Sequence, residues 1–402
     1  MPALHNLVLA LEPRRLLSAS FASVNSRGTL SVAGTSQNDA ILVRFSGTKV
    51  QAIRNGQTLS FARSAVKRIW ADGFGGNDSL HNKTNLPSTL LGSSGDDSLI
   101  GGSGNDSLDG GDGFDVADYS AREGGDQIDT DGINSWRFIT GTDEDFPTDG
   151  HADFGNEHDV ISVDTEKYIG TNGADLFITF EAFGHGFVCD GRGGNDEFDL
   201  GQGETATLLG GDGNDMFDVN DSGNHDRCFG QAGNDSLRLN FQAGMPFFDG
   251  GAGRDRLEVG QWENPLVSIA NQPAVEDVFG VRGGMTVIGN ALNNRIETIP
   301  GDVFGGSVTL IGGDGKDTLI GDGGDDSLDG GPGNDVLYGG DGNDTLVGGG
   351  GRDKLFGEGG DDLLLAKDGR TDTLDGGTGF DTAQRDNSAS VTDQVLGIEQ
   401  FI

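Results

Sequence analysis

The chain has 402 residues, of which 34% are hydrophobic and 7% aromatic, and 65 acidic against 26 basic residues give it a formal net charge of -39. So thin an apolar fraction excludes the two or three conventional cores that the length would allow, and so negative a surface repels nucleic acid and anionic membranes while attracting cations. High charge and 72 glycines would also suit a disordered acidic polymer, but such a polymer has no reason to place glycine, aspartate and leucine at fixed offsets, and this chain does so repeatedly.

In chain order, residues 1–22 come first. A short apolar stretch runs into Leu11-Glu12-Pro13-Arg14-Arg15-Leu16-Leu17, with the small residues Ser18, Ala19 and Ser20 behind it. Charges in its middle do not suit an ordinary signal peptide. The segment resembles the LEPR-XLL leader of bacterial surface and exported proteins, which implies export. The chain has no run of about eighteen apolar residues, so no transmembrane helix is expected. Residues 23–71 alternate apolar and polar in short runs such as Ala40 to Phe45 and Val66 to Trp70, separated by Gly-Thr and Asn-Gly turns; they read as strands that cap the N-terminal side of a repeat array. Gly34 to Ile41 is a degenerate form of the nine-residue repeat, and Arg63, Lys67 and Arg68 read as a solvated face.

The nine-residue period begins in the block 72–118, where Gly101 to Asp109 reads GGSGNDSLD and Gly110 to Asp118 reads GGDGFDVAD. From Gly312 to Leu365 six units run without a break: GGDGKDTLI, GDGGDDSLD, GGPGNDVLY, GGDGNDTLV, GGGGRDKLF and GEGGDDLLL. All fit G-G-x-G-x-D-x-U-x, where U is a large apolar residue. Glycine permits positive φ and close stacking, while x-U-x alternates outward, inward, outward as a short strand must. The pattern is similar to the RTX, or haemolysin-type calcium-binding, repeat. That resemblance implies an all-β fold, a right-handed parallel β-roll or β-solenoid of stacked turns, with calcium ions between turns two units apart. The sixth-position carboxylate and turn carbonyls would be its ligands, hard oxygen donors that suit calcium better than zinc or copper.

The sixth-position aspartates are Asp78, Asp97, Asp106 and Asp115; then Asp175, Asp196, Asp215, Asp235 and Asp255; then Asp317, Asp326, Asp335, Asp344, Asp353 and Asp362, continuing to Asp372 and Asp381. The middle group, in the block 169–300, is spaced by about twenty residues. The resemblance implies that two nonapeptides make one coil, so this block is expected to carry a calcium-type turn on one side only. One residue is inserted before Asp372, which puts that site in question. At Asn294 the carboxylate is missing, and no strong calcium site is expected there. Residues 301–402 form the cleanest run, with a C-terminal cap.

Burying one U side chain contributes roughly 1.5–3 kcal/mol, whereas ordering nine residues costs on the order of 10 kcal/mol. The apolar core alone loses, and stacked carboxylates add repulsion. Calcium binding is therefore expected to be coupled to folding. In the same register Leu90, Cys189, Leu208, Cys228, Phe248 and Leu310 point inward. The two cysteines then flank Leu208 in a stack of coils about 4.8 Å apart, leaving them roughly 9–10 Å from each other, beyond disulfide reach. Free buried thiols are expected.

Between Tyr119 and Tyr168 the repeat is lost, and an acidic stretch holds Asp143, Glu144, Asp145, Asp149, His151, Asp153, Glu157, His158 and Asp159. The two histidines lack the helical i, i+4 spacing of a zinc protease, so the block 119–168 reads as an inserted loop. Serines 79, 98, 107, 236 and 327 recur in one phrase, the mark of a structural position rather than a unique nucleophile. No catalytic residue is expected. The chain reads as a secreted or cell-surface calcium-binding structural or interaction protein that folds outside the cell, with cell-surface or extracellular matrix components as partners. The alternative is a calcium-stabilised module of an extracellular enzyme or cytolysin, of hydrolase, polysaccharide epimerase or haemolysin type.

Overall fold

In the computed structural model of the protein, the described residues are 20–104, 106–120, 127–128, 137–140, 160–161, 167–178, 186–200, 205–219, 226–239, 245–259, 266–299, 306–386 and 392–402. The leader motif and the acidic stretch from Asp143 to Asp159 lie outside them. Among the described residues the chain is all-β, with one 3-10 turn at Arg63–Ala65 and no α-helix. It is a parallel β-solenoid. The chain forms two compact units, residues 1–194 and 195–402.

The first unit starts antiparallel and becomes parallel. Ala22–Val24 pairs with Thr29–Thr35 in a hairpin, and Ala40–Ser46, Lys49–Arg54 and Gln57–Ala62 form a meander. Thr29–Thr35 then pairs in parallel with Arg68–Phe74, which leads on to Ser88–Ser94 and Asp106–Asp112. Ala40–Ser46 likewise leads to Ser79–Lys83, Ser98–Ile100 and Val116–Asp118. Each coil thus gives one strand to each of two sheets. The strand expected at Val66 begins two residues later, because Val66 closes the 3-10 turn through a bond from its N–H to the Arg63 carbonyl. Arg63, Lys67 and Arg68 are exposed, and the Arg63 guanidinium lies 3.6 Å over the Phe45 ring.

The second unit has the same two-ladder scheme, with one register shift between Phe279 and Val281. One ladder runs through Arg295–Thr298, Thr318–Gly323, Val336–Asp341, Lys354–Gly359 and Thr373–Asp375. The other runs through Thr309–Ile311, Ser327–Asp329, Thr345–Val347, Leu363–Leu365 and Thr382–Gln384. A period of two sends every U side chain inward, and parallel pairing stacks like on like. Leu319, Leu337, Leu355 and Leu374 make one fully buried column, and Leu310, Leu328, Leu346, Leu364 and Ala383 the other. Earlier coils use aromatics at the same place, with Phe198 and Phe217 stacked at 4.9 Å. Cys189 and Cys228 are both buried, and neither is in a disulfide.

Candidate calcium sites in the stacked turns

Each turn places its sixth residue by two backbone devices. Gly340 (φ +112) and Gly342 (φ +143) take left-handed conformations that turn the chain sharply between strands. The first glycine serves a different purpose, close approach. A Cβ on Gly339 would lie 2.3 Å from Asp344 Oδ2 and 2.9 Å from the Gly357 carbonyl oxygen; one on Gly357 would lie 2.2 Å from Asp362 Oδ2 and 2.5 Å from the Gly376 oxygen. A carboxylate oxygen and a carbonyl oxygen of the next coil therefore converge on space that exists only because the side chain is missing.

Every sixth-position aspartate predicted from the sequence is buried. Most stand in columns. The backbone N–H of Asp317 donates to Asp335 Oδ1 at 2.8 Å, Asp335 to Asp353 at 2.9 Å and Asp353 to Asp372 at 2.9 Å. On the other side Asp326 donates to Asp344, Asp344 to Asp362 and Asp362 to Asp381. Asp196, Asp215, Asp235 and Asp255 form a third such series, and Asp78, Asp97 and Asp115 a fourth in the first unit. Asp39, in the degenerate repeat, heads that series through its bond to Asp78 Oδ1.

One residue earlier, a second ladder runs the opposite way. The N–H of Asn214 donates back to Asn195 Oδ1, Asn234 to Asn214, and Arg254 to Asn234. Asn343, Asp361 and Phe380 repeat the arrangement onto Asp325, Asn343 and Asp361. Successive N–H groups of one turn are thus fastened to side chains of the coils on either side.

The oxygens that the ladders leave over define the site. The Oδ2 atoms of Asp78, Asp97, Asp215, Asp235, Asp255, Asp317, Asp326, Asp335, Asp344, Asp353, Asp362, Asp372 and Asp381 are buried with no hydrogen-bond partner. A buried carboxylate oxygen without a partner is costly. Burial pushes the carboxyls of Asp317, Asp326, Asp335, Asp353 and Asp362 up to about 6, and those of Asp344 and Asp372 to about 7. Among the described residues no group of three or more His, Cys, Asp or Glu side chains gathers at one point. The available donors are instead single carboxylates and backbone carbonyls, a hard all-oxygen set that fits calcium and not a thiophilic metal.

Several positions depart from the scheme. Asp372 is in register despite the residue inserted before it: its Oδ1 accepts from Asp353, because the loop through Gly369 (φ +89) absorbs the extra residue. Asp106 accepts from both the N–H and the hydroxyl of Ser88. Asp175 spends both oxygens on Thr171 of its own turn. Asn294 carries an amide that donates to the Val275 and Glu276 carbonyls at 3.1 and 3.3 Å. The middle coils are also not bare on their second side, since buried Asp226 accepts from the Ala206 N–H at 2.7 Å. Sequence reading missed it because the first, second and fourth places of its unit hold Asp221, Ser222 and Asn224 and not glycine. The signal was its place two residues before inward Cys228, the offset of every other in-phase aspartate from its U residue. Glu276, Asp393 and Glu399, which extend the columns by accepting from Asp255, Asp372 and Asp381, were missed likewise.

A parallel β-solenoid with glycine-bounded turns and columns of buried carboxylates facing carbonyls defines a repeat protein whose turns are built for divalent cations. The family model described as RTX calcium-binding nonapeptide repeat (4 copies) matches residues 88–117, 305–337 and 338–371, and the repeats there are of that type. No curated protein matches the chain.

Proposed function

We propose that the chain is a secreted or cell-surface structural or interaction protein that folds as calcium binds outside the cell, and that it is not itself an enzyme. The observation that carries this reading is the row of partnerless buried Oδ2 atoms, most of them set against a carbonyl oxygen of the next coil. Calcium supplies two positive charges and accepts six to eight oxygens in a forgiving geometry. Asp317, Asp335, Asp353 and Asp372 would hold ions on one side of the second unit, and Asp326, Asp344, Asp362 and Asp381 on the other. The chain's own contribution is to line up these oxygens, to exclude side chains through glycine, and to hold the aspartates through Oδ1 so that Oδ2 stays available.

Extracellular calcium modules bind at about 0.1–1 mM, far above cytosolic levels, so ordering would wait for export. The net charge of -39 favours the expanded chain until cations arrive. Non-catalytic function is supported by the repetition itself, since outward residues such as Ser79, Ser98 and Ser327 recur in equivalent strand positions. The reading is tested by circular dichroism of the full chain in chelator and during calcium titration, with an activity screen on polysaccharides, esters and peptides beside it. Loss of β signal in chelator is expected, recovered near millimolar calcium. An unchanged spectrum would refute calcium-coupled folding, and turnover of any substrate would refute the non-catalytic reading.

A further inference from the structure

The geometry points to a block within the second unit, Leu266 to Thr298, that keeps its fold without calcium because side-chain carboxamides take over the bridging that the other turns leave to a cation. This inference rests on the calcium-coupled folding proposed for the chain.

Carboxamides converge here on backbone carbonyls. Asn294 Nδ2 donates to the Val275 and Glu276 carbonyls of the preceding coil. Asn290 Nδ2 donates to Val275 O at 2.8 Å and to Gln272 O at 3.3 Å. Gln272, itself buried, accepts from the Phe248 N–H at 2.7 Å and donates to the Pro246 carbonyl at 2.9 Å. At the block's end the Thr298 hydroxyl donates to the Gly321 carbonyl at 3.1 Å. Neutral N–H and O–H donors therefore tie carbonyls of adjoining coils together, and one of these carbonyls, that of Gly321, belongs to a first glycine, the kind that elsewhere faces a carboxylate oxygen. None of these side chains keeps a buried polar atom without a partner.

The surroundings are consistent. Val267, Ile269, Val275, Val278, Val287 and Ile296 are buried in this block of two coils, more apolar side chains per coil than the two U residues of a coil made of two clean nonapeptides. Its charges also compensate one another without an ion: Arg254 pairs with Asp277 at 2.6 Å and Arg295 with Glu297 at 2.7 Å. Asn294 donates its own N–H to Asp317 Oδ1 at 2.7 Å, so the block presents a formed edge onto which the calcium-dependent run can order. Closing the first coil against an existing edge removes the nucleation cost that a repeat array otherwise meets.

Hydrogen exchange of the full chain in chelator and in calcium tests this. In chelator the amides of Val278, Phe279 and Ile296 are expected to exchange at least about thirtyfold more slowly than those of Leu337 and Tyr338, the factor two retained hydrogen bonds would give; in calcium the difference should narrow. Asn294→Asp should make protection of the block calcium-dependent, whereas Asn294→Leu should weaken it in a way that calcium does not restore. Uniform loss of protection in chelator would overturn the block while leaving calcium-coupled folding intact. Uniform protection in both conditions would overturn both. An Asn294→Asp chain as protected as wild type in chelator would also overturn the role given to the carboxamide.

Discussion

Asp344→Asn should change the sign of its effect with calcium. The substitution keeps an oxygen to accept from the Asp326 N–H, at 2.8 Å in the wild type, and exchanges the partnerless Oδ2 for an amide N–H that faces the Gly357 carbonyl. Without calcium it removes a carboxylate that burial holds up at about 7. Allowing for solvent screening, that relief stabilises on the order of 1–2 kcal/mol near neutral pH. With calcium it removes a charged ligand. A site with a dissociation constant of about 0.1–1 mM contributes roughly 1.4–2.7 kcal/mol at about 10 mM calcium. In a unit of this size the second figure corresponds to a melting midpoint lowered by roughly 3–10 °C in calcium, and the first to a gain of residual β signal in chelator. Thermal melts followed by circular dichroism read both, with local exchange of residues 336–365 as a check. A shift of the same sign in the two conditions would refute the assignment of Oδ2 as the atom waiting for the ion.

Acidity should act on the metal-free chain through the same atoms. The folded carboxyls of Asp317, Asp326 and Asp335 lie near 6, above the usual unfolded value of about 3.9, so their contribution is most favourable below about pH 4 and is lost as pH rises through 6. Metal-free chain should therefore show more β signal at about pH 4.5 than at pH 7.5, and a flat or reversed profile would contradict it. Gly339→Ala should abolish ordering of its two flanking coils at any calcium concentration, since the new Cβ falls 2.3 Å from Asp344 Oδ2; a variant with unaltered calcium midpoint would show that the space is not needed. Leu337→Ala should cost about 2–5 kcal/mol through the cavity it leaves, while Ser327→Ala, whose side chain is exposed, should stay within about 0.5 kcal/mol; denaturant melts in calcium decide. Cys189 and Cys228 should resist thiol reagents until the chain unfolds, because both are buried and burial pushes the Cys228 thiol well above its ordinary value. Rapid labelling in calcium would place them elsewhere.

The fold and the aspartate columns were legible because a solenoid writes three-dimensional neighbours at a fixed sequence interval. Asp335 lies against Asp317 for the same reason that it lies eighteen residues after it. The positions that stayed hidden or in question had lost part of the phrase. Asp226 has Asp221, Ser222 and Asn224 where the phrase has its glycines, Asp372 has an extra residue in a loop that a left-handed glycine can take up, and Glu276 substitutes a longer acid that still reaches the Asp255 N–H. Asn294 was recognised as a missing ligand, but nothing in the spacing says that its amide reaches back to two carbonyls. Asp175 shows the converse: the aspartate is in phase, yet Thr171, standing where the phrase has its second glycine, draws both oxygens back into its own loop.

The two opposed ladders limit how such a chain can change length. Removing half a coil would leave one set of turn N–H groups without the acceptor behind and the other without the acceptor ahead, whereas excising a whole coil brings the next Asn-Asp pair to the same places. Gains and losses should therefore come in complete turns of the spiral, and a series ends where a residue such as Phe114, Arg254 or Phe380, able to give an N–H but with no side-chain oxygen to offer a further coil, takes the final rung.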